Sequence, residues 1–497
     1  MNKSKLDIDK IQTLGSLKKS GYVARSVKEE MRDNLIHALR TNTPLFKPVQ
    51  GYEDTVIPQL ETAILSKHNI LLLGLRGQAK TRLSRLMTDL LDEYMPVITG
   101  SELNDDPLQP LSRYGKDLIE KMGDETPVSW MHRDERYVEK LATPDVSVAD
   151  LIGDLDPIKA ASMKLSYADE RVIHYGLIPR SHRCIFVINE LPDLQARIQV
   201  ALFNILQEGD IQIRGFRLRL PLDLQFVFTA NPEDYTNRGS IVTPLKDRIG
   251  SQILTHYPKT LEISQSITKQ EAKIPADQKE IITIPPLLEK LIEQISFEAR
   301  KSEYIDQKSG VSARLTISAY ENLYSVVQRR VLLNGEKSGT ARISDLYGIV
   351  PAITGKVELV YEGEVEGISN VAYTLIGKAI RTEFIQFFPD PERMKKSKQK
   401  NPYQEILTWF SEGNEVDIMH NSTQKHYDES IRKVTGLQEV VKNYMKDIPK
   451  GEQLLIAEFL LHGLSEYSQI SKRKLENTVK FSDLVGSIFN MKNENED

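Results

Sequence analysis

Short apolar runs alternate with helical patterns over the first half of the chain, from about residue 46 to 265. The strand candidates are Ile70–Leu73, Val97–Thr99, Cys184–Asn189, Leu224–Ala230 and Gln252–His256. After the first strand the apolar residues recur every three or four positions, which is the spacing of an amphipathic helix. This alternation predicts an α/β fold in which helices cover both faces of a parallel sheet. Such sheets bind ligands at the carboxyl ends of their strands.

The rest of the chain has mostly helical patterns. Residues 1–45 are polar, and Val27 to Leu39 form an amphipathic pattern within them. A second helical region spans 281–365, with helical spacing from Ser318 to Leu333. The last region, 366–497, includes an apolar helical run from Gln453 to Leu464 and ends in a polar tail that we expect to be disordered. These limits predict four parts: 1–45, 46–265, 281–365 and 366–497.

Composition narrows the classes of partner. The chain of 497 residues has 65 basic and 70 acidic residues, a net charge of −5, so nothing attracts it generally to nucleic acid or anionic lipid. No apolar stretch approaches the ~20 residues that span a bilayer. The single cysteine, Cys184, excludes an internal disulfide and fits a reducing compartment; we expect it to be a packed core thiol. The first residues lack the apolar core of a signal peptide, so we expect a cytoplasmic protein.

A glycine-rich turn joins the first strand to the following helix. Its sequence is Gly74-Leu75-Arg76-Gly77-Gln78-Ala79-Lys80-Thr81, the layout of a phosphate-binding P-loop. Backbone N–H groups at a helix start bind phosphate oxygens. Lys80 is expected to contact the β- and γ-phosphates, and the Thr81 hydroxyl is expected to bind Mg²⁺. The loop therefore predicts a nucleotide with β- and γ-phosphates and Mg²⁺ as cofactors.

One position departs from the usual motif. Ala79 occupies the place of the second glycine in G-x-x-x-x-G-K-[ST]. Because a side chain disfavours the left-handed region, we expect Ala79 to keep a negative φ.

Hydrolysis requires a general base and a metal-binding group beside the loop. The strand from Arg183 ends in Asn189-Glu190, where a Walker B motif would place Asp-Glu. Glu190 is the predicted general base. Asn189 can accept a hydrogen bond from metal-bound water but lacks the charge of an aspartate, which predicts weaker Mg²⁺ binding and slower turnover.

Further polar residues follow along the chain. The buried strand 224–230 precedes Asn231, whose amide could orient the attacking water opposite Glu190. A hairpin is predicted from Asp210 to Leu220, and the arginines on its polar face either face solvent or contact a neighbouring subunit or substrate; they are Arg214, Arg217 and Arg219.

Three other arginines could contact the nucleotide. Arg248, on a helix predicted from Pro244, could neutralise the charge on a neighbour's γ-phosphate, and Arg238 is a second candidate for that role. Arg314 begins the second helical region, where a lid could close over the nucleotide.

Together these motifs resemble the AAA+ ATPases, and more narrowly the branch of magnesium-chelatase subunit I and the MoxR-like ATPases. The likeness covers about residues 46 to 365, and MoxR-like proteins also have Ala before the lysine. The segments that carry it are Gly74–Thr81, Leu151–Pro157, Gly176–Pro179, Gln199–Gly209 and Thr229–Glu233. The segment before Asp150 looks like the insertion of the chelatase subunit.

The resemblance implies an AAA+ P-loop core at 46–265, a helical lid domain at 281–365 and a C-terminal extension with no counterpart that we can match. It implies a hexameric ring with ATP between subunits. Lys80, Thr81, Glu190 and Asn231 would act within one subunit, Arg248 on the neighbour's nucleotide, and Arg314 as the lid arginine called sensor 2. The family commonly works with a protein that has a von Willebrand factor A domain, which would here be a separate chain.

Several functions stay open at this point. The first is a ring motor that hydrolyses ATP to remodel a partner protein or complex. The second is a module that binds ATP to organise an assembly and hydrolyses it little, as Asn189 and Ala79 favour. The third is the motor subunit of a tetrapyrrole metal chelatase. A nucleic-acid translocase is the least expected, because the charge balance is acidic.

Overall fold

The computed structural model describes residues 8–166, 169–213, 219–232, 240–396, 400–446, 448–449, 451–475 and 477–484. It divides into two compact units, one ending at His256 and the other beginning at Tyr257. Each unit has its own apolar core.

The first unit combines a central sheet with helices on both sides. Its helices are α1 (Leu14–Lys19), α2 (Val27–Arg40), α3 (Val56–Leu65), α4 (Lys80–Leu86), α5 (Arg113–Met122), α6 (Val148–Leu151), α7 (Pro157–Met163), α8 (Leu177–Arg180), α9 (Ala196–Glu208) and α10 (Thr243–Asp247). Its strands are β1 (Ile70–Leu73), β2 (Tyr94–Ile98), β3 (Val128–His132), β4 (Tyr137–Leu141), β5 (Gly153–Leu155), β6 (Ile173–Tyr175), β7 (Cys184–Asn189), β8 (Asp210–Gln212), β9 (Arg219–Pro221), β10 (Leu224–Ala230) and β11 (Ser251–Leu254). Short 3-10 helices lie at Ile8–Lys10, Met87–Leu90, Gly123–Glu125, Arg133–Arg136, Glu170–Val172 and Leu191–Asp193.

The central sheet has five parallel strands in the order β11-β1-β10-β7-β4. The side chains of β1 alternate between the two faces of the sheet, and each face has its own apolar core. Leu71 and Leu73 belong to one core, and Ile70 and Leu72 belong to the other. Strands covered on both faces are apolar throughout, and β1, β7 and β10 are buried at every position. The predicted α/β fold, a P-loop parallel sheet flanked by helices, is confirmed.

The predicted membership of the sheet is wrong at one strand. Of the residues predicted as the strand Val97–Thr99, Val97 and Ile98 belong to β2, which pairs antiparallel with β3 outside the central sheet. The fifth place in the sheet is taken by β4, whose residues are partly exposed because it lies at an edge. Because β4 is partly exposed, its sequence lacks the continuous apolar run from which the inner strands were predicted. The last predicted strand also ends earlier, at Leu254.

A buried ion pair joins α2 to the sheet. Both terminal nitrogens of Arg136 donate to the Glu30 carboxylate, at 2.8 and 2.7 Å, and the guanidinium also donates to the Arg183 carbonyl oxygen. The Arg136 side chain is 1% exposed and that of Glu30 is 8% exposed. The predicted amphipathic segment from Val27 is confirmed as α2, and this pair fixes it in place.

The second unit is mostly helical. Its helices are α11 (Leu261–Glu271), α12 (Ala276–Ile281), α13 (Pro286–Ala299), α14 (Arg314–Asn334), α15 (Val350–Thr354), α16 (Tyr361–Glu366), α17 (Ile368–Phe387), α18 (Pro391–Lys396), α19 (Gln404–Ser411), α20 (Gln424–Arg432), α21 (Leu437–Tyr444) and α22 (Gln453–Glu466), with a 3-10 helix at Ile343–Ile349. Its strands are β12 (Ile282–Thr283), β13 (Gly339–Thr340), β14 (Val416–Met419), β15 (Ser471–Lys474) and β16 (Thr478–Ser482).

One apolar core runs through this unit. It includes Leu323 of α14 and Leu460 of α22, so the two predicted helical regions, 281–365 and 366–497, pack together. The predicted helices at 318–333 and 453–464 are confirmed within α14 and α22. The antiparallel sheet β14-β16-β15 was not predicted. The four-part domain division stays a prediction, and the tail from Lys492 lies outside the described residues.

The single cysteine is a core thiol, as predicted. Cys184 is 1% exposed and unoxidised, and burial raises the pKa of its thiol to about 12. Within the described ranges, no helix combines the length and the apolar character that a membrane crossing requires.

Replacing Arg136 with alanine tests the buried pair. Arg136→Ala leaves the Glu30 carboxylate buried without its cation, so we expect the free energy of unfolding in urea to fall by about 3 kcal/mol or more. The matched control is Arg133→Ala, because Arg133 forms an exposed pair with Asp89 at 3.5 Å, and exposed pairs contribute about 1 kcal/mol or less. Equal losses for the two variants would contradict the role given to the buried pair.

Candidate nucleotide-binding site

The P-loop leaves the sheet at a position where only glycine fits. The Gly74 N–H donates to the Ala230 carbonyl oxygen at 3.1 Å, which continues the pairing of β1 with β10. A Cβ on Gly74 would lie 1.9 Å from Thr255 Oγ1 and 2.2 Å from Gln78 Oε1. Both distances are far below van der Waals contact, so the predicted glycine is required by the close approach of the loop to β11.

The P-loop is held through Gln78 by two residues outside the sequence motifs, Thr255 and Tyr52. Thr255, just after β11, donates its hydroxyl proton to Gln78 Oε1 at 2.7 Å. The Tyr52 hydroxyl lies 3.0 Å from the Gln78 carbonyl oxygen and 2.8 Å from that of His256. Gln78 is 6% exposed. Its side chain therefore helps to fix the shape of the loop, and its contact with nucleotide stays a prediction.

The backbone of the loop contradicts one expectation. Gly77 has φ +75°, and Ala79 also lies in the left-handed region, with φ 54° and ψ 18°. The prediction that Ala79 keeps a negative φ is wrong. This conformation costs an L-residue about 1 kcal/mol, and the surrounding fold imposes it because α4 must begin at the next residue.

Lys80 connects the loop to the neighbouring strand. Its ammonium group donates to the carbonyl oxygens of Gly74 and Leu75, the latter at 3.0 Å, and to Asn231 Oδ1 at 2.7 Å. Asn231 in turn donates from Nδ2 to Glu190 Oε2 at 2.9 Å. Because an ammonium only donates and a carboxylate only accepts, these partners fix the orientation of the Asn231 amide. Three predicted site residues thus form one hydrogen-bonded chain.

Glu190 is also held in a strained conformation. It follows β7 with φ 56° and ψ 50°, the left-handed region. Its N–H donates to Thr229 Oγ1 at 3.2 Å. The strain turns the Glu190 side chain toward Asn231 instead of continuing the strand, and strained residues of this kind cluster at functional sites.

Asn189 has hydrogen bonds at both ends of its amide. Its Nδ2 donates to Glu139 Oε1 on β4, and its Oδ1 accepts from the Thr229 hydroxyl at 3.1 Å. The second Glu139 oxygen, Oε2, accepts from Arg85 on α4 at 3.2 Å. A metal role was predicted for Asn189 but not for Glu139, because an acidic residue in a short, partly exposed strand has no motif around it.

The remaining predicted residues are placed as follows. Thr81 is exposed in the first turn of α4, and Arg76 is exposed on the loop. Arg248 follows α10, donates to Gln207 Oε1 at 3.0 Å and to the Pro244 carbonyl oxygen at 2.7 Å, and lies over the Phe203 ring. Arg314 is the first residue of α14 in the second unit. Their roles stay predictions.

The predicted hairpin is confirmed as far as it is described. Strand β8 pairs antiparallel with β9, and Arg219 lies opposite Gln212. Arg214, Arg217 and Arg238 lie outside the described residues.

The site fits a magnesium ion that arrives with a nucleotide. Among the described residues, no group of three or more His, Cys, Asp or Glu side chains could hold a metal ion. Magnesium does not require such a cage, because it commonly binds one or two protein oxygens together with phosphate oxygens and water. The exposed Thr81 hydroxyl and the Glu139 carboxylate are oxygen donors of this kind.

The site combines the Lys80 cation with the Glu190 carboxylate, which can act as a base, and with the Asn231 amide. Lys80 is 8% exposed, so its charge acts where water screens it little. Glu190 can accept a proton from an attacking water, and Asn231 can orient that water because it already bonds to Glu190. These are the parts that phosphoryl transfer to water requires.

Comparison with known proteins gives remote structural likenesses. A scan against protein-family models finds no match. Solved structures with similarity include a candidate ATPase from Cytophaga hutchinsonii, at 19% identity and a TM-score of 0.29, covering 72% of this chain and 97% of that one. The complex of magnesium-chelatase subunits BchI and BchD matches at 20% identity and a TM-score of 0.34, covering 65% and 99%. NtrX from Brucella abortus matches at 14% identity and a TM-score of 0.35, covering 78% and 71%.

These likenesses include the branch that the sequence resembles. At 20% identity or less and TM-scores below 0.5, they carry no argument about the chemistry of this chain. The function proposed below therefore depends on the side chains of the site.

The left-handed conformation of Ala79 predicts an unusual response to glycine. Ala79→Gly removes the steric cost of the positive φ, so we expect the free energy of unfolding to rise by about 0.5 kcal/mol or more. The control is Ala161→Gly in the exposed face of α7, where glycine should lower the free energy of unfolding by about 0.5–1 kcal/mol. Urea titration of both variants measures the difference. A loss of stability in both would show that Ala79 is not strained.

Proposed function

We propose that the chain binds ATP with Mg²⁺ at Gly74–Thr81 and hydrolyses it, acting as an AAA+ ring motor. The observation that supports this most strongly is the chain of hydrogen bonds from Lys80 through Asn231 to Glu190. It joins the predicted phosphate-binding lysine to the predicted general base.

The bonds of Lys80 suggest how binding and hydrolysis are coupled. Its partners include two backbone carbonyl oxygens and Asn231 Oδ1, which are neutral acceptors. Phosphate oxygens carry charge and form stronger bonds with an ammonium group. When a triphosphate takes over Lys80, the Asn231 oxygen becomes available to a water molecule beside Glu190. Binding of ATP therefore prepares the group that positions the nucleophile.

The proposal also includes a ring of subunits and a partner protein. Charge that develops on the γ-phosphate is stabilised best by an arginine supplied to the site. In this proposal Arg248 contacts the nucleotide of the next subunit, and Arg314 contacts the nucleotide of its own subunit. The work of the ring is to remodel a protein or complex, with a separate von Willebrand factor A domain protein as its partner. A chelatase motor is the special case in which that complex inserts a metal into a tetrapyrrole.

A second function is favoured by one observation. The amide of Asn189 is hydrogen-bonded at both ends, to Glu139 and to Thr229. It therefore has little hydrogen-bonding capacity left for a metal-bound water. A chain that bound ATP to organise an assembly, with little hydrolysis, would fit that arrangement.

Two substitutions separate binding from hydrolysis. Lys80→Ala removes the cation that holds the β- and γ-phosphates, so we expect binding of a fluorescent ATP analogue to weaken at least about tenfold. Glu190→Gln removes the base and keeps the hydrogen bond from Asn231, so binding should persist while phosphate release slows about 100-fold or more. Lys121→Ala, at an exposed site on α5, is the control for both assays.

Equal, slow phosphate release by the wild type and by Glu190→Gln, with ATP bound to both, would contradict the motor and favour the module that hydrolyses little. Loss of binding in the wild type would contradict both functions.

Mixing two inactive variants tests the role of Arg248 in a ring. Arg248→Ala should bind ATP and lose about 1,000-fold in hydrolysis, the usual value of an arginine that acts on a neighbour's phosphate. Lys80→Ala supplies an intact Arg248 but no ATP. Mixed oligomers should therefore recover part of the phosphate release that neither variant shows alone. Arg248→Ala with normal hydrolysis would contradict the assignment.

A further inference from the structure

A carboxylate lies beside Asn189 although the sequence motif lacks one. Glu139 is on β4, the strand next to β7 at the edge of the sheet. Its Oε1 accepts the hydrogen bond from Asn189 Nδ2. The side chain is 26% exposed, so solvent and a ligand can reach it.

The register of the two strands puts Glu139 on the face that α4 covers. Glu139 lies opposite Val187, and Leu141 lies opposite Asn189. Val187 belongs to the core that includes Leu83 of α4. To contact Asn189, the Glu139 side chain extends two residue positions toward the carboxyl edge of the sheet, where ligands of parallel sheets bind.

The contact with α4 places this carboxylate on the same helix face as a predicted metal ligand. Arg85 donates to Glu139 Oε2 at 3.2 Å. Thr81 precedes Arg85 by four residues, so the two side chains project from the same face of α4. Glu139 therefore contacts Asn189 through one oxygen and, through the other, Arg85, which lies one helical turn from Thr81.

The pairing also explains why position 189 is an amide. Aspartate there would place a second carboxylate against Glu139, and two adjacent carboxylates repel. Asparagine instead donates a proton to Glu139 and accepts one from Thr229. Of these two neighbouring positions only Glu139, on β4, carries a negative charge.

We propose that Glu139 is the carboxylate of the magnesium site, and that Asn189 positions it through their hydrogen bond. This inference rests on the proposed function, since the ion arrives with ATP. Glu139 would hold the ion together with Thr81 and the nucleotide phosphates. Asn189 is then a positioning residue instead of a weakened metal ligand.

Binding of Mn²⁺ in the presence of a non-hydrolysable ATP analogue, AMP-PNP, tests the proposal without relying on activity. The electron paramagnetic resonance signal of free Mn²⁺ measures the affinity of the metal for the full chain with nucleotide. Glu139→Gln keeps the shape and the bond from Asn189 but loses the charge, so we expect Mn²⁺ affinity to fall about tenfold or more. Binding of AMP-PNP in EDTA should stay at the wild-type value.

A charge exchange provides the rescue. The double variant Asn189→Asp with Glu139→Gln restores one carboxylate and one amide in reversed positions, so Mn²⁺ affinity should return toward the wild-type value. Asn189→Leu removes the donor that holds Glu139, and it should lower Mn²⁺ affinity with Glu139 still present. Glu120→Gln, an exposed carboxylate of α5, is the matched control and should change nothing.

Arg85→Gln distinguishes a metal site from an ordinary ion pair. If Glu139 only held Arg85, then Arg85→Gln would lower Mn²⁺ affinity as much as Glu139→Gln does. In our account it leaves the affinity unchanged or raises it, because the carboxylate loses a competing cation. Wild-type Mn²⁺ affinity in Glu139→Gln would overturn the inference and leave the proposed function standing. Absence of AMP-PNP binding to the wild type, with or without metal, would instead overturn the proposed function.

Discussion

The position of the Lys80 ammonium group is the constraint on which the rest of the site depends. A lysine that is 8% exposed must satisfy its charge with nearby oxygens, and two P-loop carbonyls and Asn231 are among them. Asn231 then has one orientation left, which directs its N–H group at Glu190. The electrostatics of one cation thereby set the geometry of the residues that follow two other strands, Asn231 after β10 and Glu190 after β7.

The carboxyl edge of the sheet holds this arrangement by strain and close packing. Ala79 before α4 and Glu190 after β7 both occupy the left-handed region without being glycine. Neither conformation is favourable locally, so the surrounding contacts must impose both. Thr255 and Tyr52 supply such contacts to the P-loop through their hydrogen bonds to Gln78. The fold therefore holds the backbone of the site in a fixed geometry, which is what electrostatic catalysis requires.

The sequence predicted the inner strands well and the edge poorly, for a physical reason. Strands buried on both faces are continuous apolar runs, so β1, β7 and β10 were predicted to the residue. Strand β4 is half exposed, and its Glu139 looks like a solvent-facing residue until the register with β7 is known. The P-loop could be found by its motif, whereas the φ of Ala79 and the partners of Asn189 depend on tertiary contacts that a motif does not encode.

The same limit applies to the second unit. Its long helices α14 and α22 were predicted from apolar spacing, but the shared core of residues before and after 366 could not be, because helical periodicity shows which face is buried and not what buries it. The Thr255 and Tyr52 contacts are a comparable case in the first unit, since these residues are separated from Gln78 by more than 20 positions along the chain.

The central claim is that the loop at Lys80 binds the phosphates of ATP, and calorimetric titration of the full chain with ATP and Mg²⁺ tests it most directly. The account predicts a saturable heat with one nucleotide per chain, weaker when Mg²⁺ is removed. A folded chain that gives no heat with ATP, with or without Mg²⁺, would contradict it.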